Sequence, residues 1–293
     1  MPSIHLSIAC RTDRGLVRKT NEDSFIVAEL TGGNLLNPVQ PMGRFEVGER
    51  GALLAVSDGM GGHKAGEVAS ALVLESVTRS LAHAPTGTSS DVKVKDAVQD
   101  ANRVVRDAAQ HQGRQGMGAT LTALYIQGKA AYVAEVGDSR AYLVRAGAMT
   151  QLTHDQNYVQ VLLDAGMIAP SQADESPLRH VLLQAMGHEQ NLKVELGRLE
   201  LRNRDCFVLC SDGLTKAVSD EEIRNVVLTS TDLDAACTRL IKMANDRGGE
   251  DNVTIVMAGV GGMLPPSNVN ESVEKTFQIL DSFEPGRGKL ARM

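Results

Sequence analysis

Short apolar runs rich in Val, Ile and Leu punctuate the chain at 4–9, 24–29, 52–56, 121–126, 131–136, 141–144, 194–201, 207–210 and 253–258. Their length and β-branched content predict strands. Several follow one another across tight turns, such as those at 127–129 and 137–139. Such spacing favours antiparallel hairpins over strict strand–helix–strand alternation. In three blocks a three- and four-residue period takes over. Val68, Leu72, Val73, Val77 and Leu81 predict a helix after Ala65, and Val94, Ala97, Val98, Ala101, Val104, Val105 and Ala108 predict a second. Leu233, Ala236, Cys237, Leu240, Ile241 and Ala244 predict a third. A helix with one apolar face must cover something. The pattern therefore predicts an α+β chain with two mainly antiparallel sheets and helices outside them.

Two regions read as peripheral. Residues 31–49 hold Gly32, Gly33, Pro38, Pro41, Gly43 and Gly48 and read as a loop insertion. Past Gly261-Gly262 and Pro265-Pro266, the residues Val269, Val273, Phe277, Leu280 and Phe283 recur at helical spacing, predicting an amphipathic helix. Residues 284–293 read as a flexible tail.

Composition narrows the function. The 293 residues are 42% hydrophobic and 23% charged, a globular balance, with a formal net charge of −6 that disfavours nucleic acid as a partner. With no Trp and 3% aromatics, aliphatic side chains must build the core. Cys10, Cys206, Cys210 and Cys237 form no C-x-x-C pair and read as small buried hydrophobes of a reducing compartment. Residues 1–11 lack the marks of a signal peptide, and no apolar run approaches the ~20 residues of a membrane span. A soluble, cytoplasmic protein is expected.

The chemistry lies in where the acids fall. Asp58-Gly59 follows the run at 52–56, Asp212-Gly213 the run at 207–210, and Asp138 the run at 131–136, while Glu250-Asp251-Asn252 precedes the run at 253–258. Arg18 precedes Asn21-Glu22-Asp23 at the start of the second run. One strand-end Asp is usually a turn former. Five such places suggest carboxylates converging on a sheet edge, where they repel unless protonated or neutralised by metal. Oxygen-only ligands favour Mg²⁺ or Mn²⁺ over Zn²⁺, and two such ions can activate water for in-line displacement. A glycine after an aspartate lets its backbone carbonyl approach an ion closely. The Arg18 guanidinium supplies a planar fork for phosphate oxygens.

These residues resemble the metal-dependent protein phosphatases of type 2C in their bacterial form. The resemblance is carried by Arg18-Lys-Thr-Asn-Glu-Asp23, Val56-Ser-Asp-Gly-Met-Gly-Gly62, Gly116-Met-Gly-Ala-Thr120, Val136-Gly-Asp-Ser-Arg140, Leu152-Thr-His-Asp155, Ser211-Asp-Gly-Leu214 and Gly249-Glu-Asp-Asn252, in the family's order across roughly residues 4–260. It implies an α-β-β-α sandwich, with residues 1–261 as the phosphatase domain and 262–293 as linker, helix and tail. It implies a protein-serine/threonine phosphatase using two Mn²⁺ or Mg²⁺ ions, with a third in bacterial relatives. Asp58 would bridge two ions, Asp212 and Asp251 would complete one site, and Gly59 with Glu22 would hold the other. Asp23 would act nearby, Asp138 with Asp212 would hold a third ion, and Arg18 would bind the substrate phosphate. Residues 155–187 resemble the family's mobile flap. Met60 stands where eukaryotic relatives carry a histidine, which leaves water on a metal as the expected proton source for the leaving group; His63 reads as a loop histidine without a catalytic task. Phosphorylated proteins, among them a serine/threonine kinase and its targets, would be the partners.

Rival chemistries fit less well. A cysteine phosphatase needs Arg six residues after its nucleophile, where Leu16, Asp212, Lys216 and Met243 stand. Residues 232–236 miss the aspartyl-phosphate pattern and are better placed to cap a helix. The glycines from Gly59 to Gly66 miss both phosphate-loop templates, with Lys64 and Glu67 at the deciding positions. His188-Glu189 has Leu192 where a zinc site needs a second His. The alternative from another class is a catalytically inactive phosphatase fold used as a binding or scaffold module, which predicts lost ligands.

Overall fold

Successive residues of the strand at 52–60 belong to different cores. Leu53 and Ala55 pack against helices, whereas Leu54 and Val56 pack between two sheets. A strand buried on both faces reads as an unbroken apolar run rather than an alternation, and that is the run seen in the sequence. The computed structural model describes residues 4–36, 42–61, 65–111, 114–173, 176, 178–179, 181–269 and 271–284.

In chain order the first elements are β1 (Ile4–Asp13), β2 (Asp23–Glu29), β3 (Asn34–Leu36), β4 (Met42–Glu46) and β5 (Ala52–Met60), then α1 (Ala65–His83) and α2 (Ser90–Ala109). There follow β6 (Gly118–Ala119), β7 (Leu121–Gln127), β8 (Ala130–Val136), β9 (Arg140–Arg145), β10 (Ala148–Gln151), α3 (Tyr158–Asp164) and α4 (Pro170–Ala173). The last part holds β11 (Glu195–Glu200), β12 (Cys206–Cys210), α5 (Asp212–Thr215), α6 (Asp220–Thr229), α7 (Leu233–Asp246), β13 (Val253–Gly262) and β14 (Phe277–Asp281).

One sheet runs β10-β9-β12-β13-β1-β4, the other β14-β11-β8-β7-β5-β2-β3, with β6 paired to the end of β5. The pairings within both sheets are antiparallel. Three apolar layers result. Val73, Val77, Val98 and Val105 of α1 and α2 pack on one sheet, Leu6, Leu54, Leu124, Phe207 and Val256 lie between the sheets, and Ile223, Leu240 and Ala244 of α6 and α7 cover the other sheet. This is the expected α-β-β-α sandwich. Asp232 caps α7, its Oδ1 accepting from the Ala235 N–H at 2.8 Å.

The structure corrects two expectations. The segment 31–49 is not simply a loop, since β3 extends the β2 edge and β4 pairs with β1. Both are short edge strands whose pairing is non-local and leaves little periodicity. Nor is there an amphipathic helix over 269–283: a single 3₁₀ turn at Val273–Lys275 leads into β14, which pairs with β11. The Phe277 ring sits over Gly197, where a Cβ would lie 2.4 Å from ring carbons. A glycine seat and an open strand edge outweigh a weak helical spacing. The buried Arg145–Asp205 pair locks this return: Arg145 donates to both Asp205 oxygens at 2.7 Å and to Thr276 Oγ1 at 2.7 Å. Residues 285–293 of the tail expected at 284–293, and His63, lie outside the described residues. No helix among the described residues is long and apolar enough to cross a membrane.

Candidate active site

Antiparallel pairing collects the acids at one end of both sheets. Asp23 opens β2 directly opposite Asp58 on β5, and Cys210 at the end of β12 pairs with Ile255 near the start of β13. Asp212 therefore leaves one strand where Asp251 enters its neighbour. Asp138 follows the end of β8, whose Val136 pairs with Leu121 at the same edge.

The electrostatics record the convergence. Burial pushes the Asp58 carboxyl well above the usual carboxylate range, and the charges of Asp23, Asp212, Asp251 and Asp138 push it further. Asp23 is pushed up to about 7 by burial, against the Ser211 hydroxyl, which donates to its Oδ2 at 2.7 Å. Asp138 is pushed up to about 8, by burial first and then by Asp212 and Asp155. Asp251 differs: burial pushes it up, but Lys216 and Arg18 outweigh burial and hold it below the usual range. Burial raises Glu22 and Arg18 lowers it; Glu22 lies on the side of Arg18, Asp251 and Glu67.

Two cations reach the cluster. Arg18 Nε lies 2.9 Å from Asp251 Oδ1. Lys216 Nζ lies 2.5 Å from Asp212 Oδ2 and 3.1 Å from Asp251 Oδ2. Sequence reasoning named Arg18 and missed Lys216, though a lysine four residues after an aspartate on a helical turn was a readable signal.

Other missed residues hold the backbone. Thr120 Oγ1 accepts from the Asp58 N–H at 2.9 Å. Asn252 Oδ1 accepts from the Glu22 N–H at 2.8 Å, while its Nδ2 donates to the Arg14 and Thr20 carbonyls at 2.8 and 3.0 Å. Asn252 thereby closes the loop that carries Arg18. Glycine is required where backbones touch. A Cβ on Gly59 would lie 2.0 Å from the Gly66 carbonyl oxygen, and one on Gly213 would lie 2.0 Å from the Asn252 carbonyl oxygen.

Asp155 accepts a two-pronged pair from Arg140, at 2.8 Å to each oxygen, and so fixes the start of the segment that begins at residue 155. The end of that segment is tied back by Met186, which exchanges backbone bonds with Ala119 at 2.8 and 3.2 Å. Between them a cavity of about 150 Å³ is lined by Asp138, Arg140, Asp155, Asn157, Asp212 and Lys216.

Among the described residues no three His, Cys, Asp or Glu side chains already close on one point at ligand spacing, and Lys216 and Arg18 occupy oxygens of Asp212 and Asp251. The donor set nonetheless fits a hard divalent cation. Asp23 Oδ1 and Asp212 Oδ1 are buried without a hydrogen-bond partner, and an acid-rich, oxygen-only cluster of this kind is what Mg²⁺ or Mn²⁺ takes.

Comparison with known proteins agrees with this geometry. Residues 37–256 match the family model described as protein phosphatase 2C. The chain is 39% identical over 257 residues to the serine/threonine protein phosphatase PstP of Mycobacterium tuberculosis, covering 87% of this chain but 45% of that protein, so it spans about half of that relative's length. It is 33% identical over 251 residues to the serine/threonine phosphatase stp of Listeria innocua, covering 84% of this chain and 93% of that one. Among solved structures, the catalytic domain of PstP in complex with two manganese ions superposes with a TM-score of 0.73 at 37% identity, covering 88% of this chain and 99% of that one.

Proposed function

The chain belongs to the protein phosphatase 2C family, and on that premise we propose that it hydrolyses phosphoserine and phosphothreonine esters in proteins, using two Mn²⁺ or Mg²⁺ ions. One observation carries this reading: Asp58 feels Asp23, Asp138, Asp212 and Asp251 together, with Arg18 seated on Asp251.

Asp58, placed at the centre of the acids, would bridge the ions. Asp212 and Asp251 would complete one site, and Glu22 with the Gly59 carbonyl would hold the other. Asp138 with Asp212 would serve a third. Asp23, tethered by Ser211, would act from the adjacent strand. A divalent cation in such a site acidifies attacking water and neutralises charge on the phosphate oxygens. Arg18 spends its Nε on Asp251 and keeps its remaining donors for the phosphate, so it orients the ester while the acids stay ordered. The Asn252 latch keeps that loop in register. All the motif carboxylates are present, which leaves the inactive-module alternative without support.

The substrates would be phosphorylated proteins of the cytoplasm, among them a serine/threonine kinase and its targets. The test is turnover of a phosphothreonine peptide in EDTA, Mg²⁺ or Mn²⁺, beside Asp212→Ala. Turnover that requires the metal and is lost in the variant is expected. Undiminished turnover in EDTA, or none with either metal, would overturn the assignment.

A further inference from the structure

Lys216 stands where no motif of the family reading placed a function. It is the C-cap residue just after α5, its backbone N–H bonded to the Asp212 carbonyl at 2.9 Å. Its ammonium bridges one oxygen of Asp212 and one of Asp251, at 2.5 and 3.1 Å. Asp212 opens α5 just after β12 and Asp251 lies in the loop before β13, and they are the pair that the metal-phosphatase reading assigns to a single cation site.

We propose that Lys216 is a built-in competitor for the divalent cation, exchanging with it on Asp212 and Asp251 and thereby setting how tightly the enzyme holds metal. The proposal rests on the metal-phosphatase reading. Lys216 sits on Oδ2 of both acids while Asp212 Oδ1 is unpartnered, and an ammonium on the same carboxylates repels a divalent cation at close range. Each occupant therefore weakens the hold of the other. The competitor never diffuses away, because four residues tether it to Asp212 and its effective concentration is that of an intramolecular ligand. It also has somewhere to go. Lys216 itself lines the adjoining cavity of about 150 Å³, where Asn157 and Asp155, the latter shared with Arg140, offer oxygens to the displaced ammonium. Meanwhile the ammonium holds together two like-charged acids, one at the start of α5 and one in the loop before β13. Lys216 is therefore a positioning residue that makes cation occupancy responsive to the surrounding concentration.

The experiment is calorimetric titration of the whole purified protein with MnCl₂, comparing wild type with Lys216→Met, Lys216→Gln and Lys216→Arg. Met keeps the stem and removes the charge; Gln provides a second neutral variant should Met fold poorly. Both neutral variants should bind Mn²⁺ about tenfold tighter or more, since a competing cation and its repulsion are gone. Their melting temperatures in EDTA should fall while the rise on adding Mn²⁺ grows. Lys216→Arg, which keeps the charge, should stay near wild type. Neutral variants that bind Mn²⁺ no tighter than wild type would overturn the proposal and assign Lys216 a purely structural role. Wild type that binds no Mn²⁺ at all would overturn the metal-phosphatase reading instead, so the two failures are distinguishable.

Discussion

Asp23 and Asp58 sit directly opposite each other across the β2–β5 ladder, two acids on neighbouring strands, with Asp23 Oδ1 buried and unpartnered. Ionising both carboxyls at such a place costs stability, and burial with the neighbouring acids pushes each above the usual range.

Asp58→Asn removes the carboxyl whose ionisation burial and the neighbouring acids oppose, while keeping its shape. In EDTA its melting temperature should rise by a few degrees over wild type, because repulsion is relieved. Turnover with Mn²⁺ should fall on the order of a thousandfold or more. Thermal melts beside initial rates check this. A lower melting temperature in EDTA would show that Asp58 stabilises the fold rather than straining it.

Gly213→Ala places a methyl group 2.0 Å from the Asn252 carbonyl oxygen, so the Asp212 turn and the Asp251 loop must separate. The expected loss is about 1–3 kcal/mol of stability, together with weaker metal binding. Gly128→Ala is the control. Its φ is +59° with nothing within 4 Å of the added Cβ, so only backbone strain of about 1 kcal/mol is expected. Denaturant melts of both variants decide; equal losses would refute the steric account.

Asn252→Ala cuts three part-buried hydrogen bonds that hold the Arg18 loop and leaves their backbone partners without this side chain. A loss of about 1–3 kcal/mol is expected. Steady-state kinetics on a phosphopeptide should show KM rising more than kcat falls, since Arg18 would grip the phosphate less well. A drop in kcat at constant KM would instead place Asn252 with the metal ligands.

Glu135 is buried on β8, its Oε2 accepting from Thr122 Oγ1 at 2.7 Å while its Oε1 has no partner. Burial pushes its carboxyl well above the ordinary value near 4.5. The unfolded chain therefore loses this proton at lower pH than the folded chain, and folding is progressively penalised as pH rises above the unfolded value. Glu135→Gln stays neutral. Its melting temperature relative to wild type should climb between about pH 5 and about pH 8. A difference that is flat or falling across that range would contradict the burial argument.

Much of this protein was legible in its sequence because local physics sufficed. Runs such as 52–56 and 253–258 needed only their composition to read as strands, and helical spacing exposed α1, α2 and α7. The acids Asp58, Asp138, Asp212 and Asp251 announced themselves by falling at strand ends. What the sequence left open depends on contacts between distant residues. The stretch from Val269 to Phe283 has helical spacing, yet the bare backbone of Gly197 and the free edge of β11 made Phe277–Asp281 a strand. Likewise β3 and β4 exist because edges of β2 and β1 were there to pair with. Ser211 and Asn252 stand in motif runs that gave them no task of their own, Lys216 stands outside them, and their roles arise from partners at Asp23, Glu22 and Asp251. Periodicity and strand-end chemistry are written into neighbouring residues, whereas a hydrogen bond or an ion pair across 188 or 230 positions exists only once the two sheets have brought its ends together.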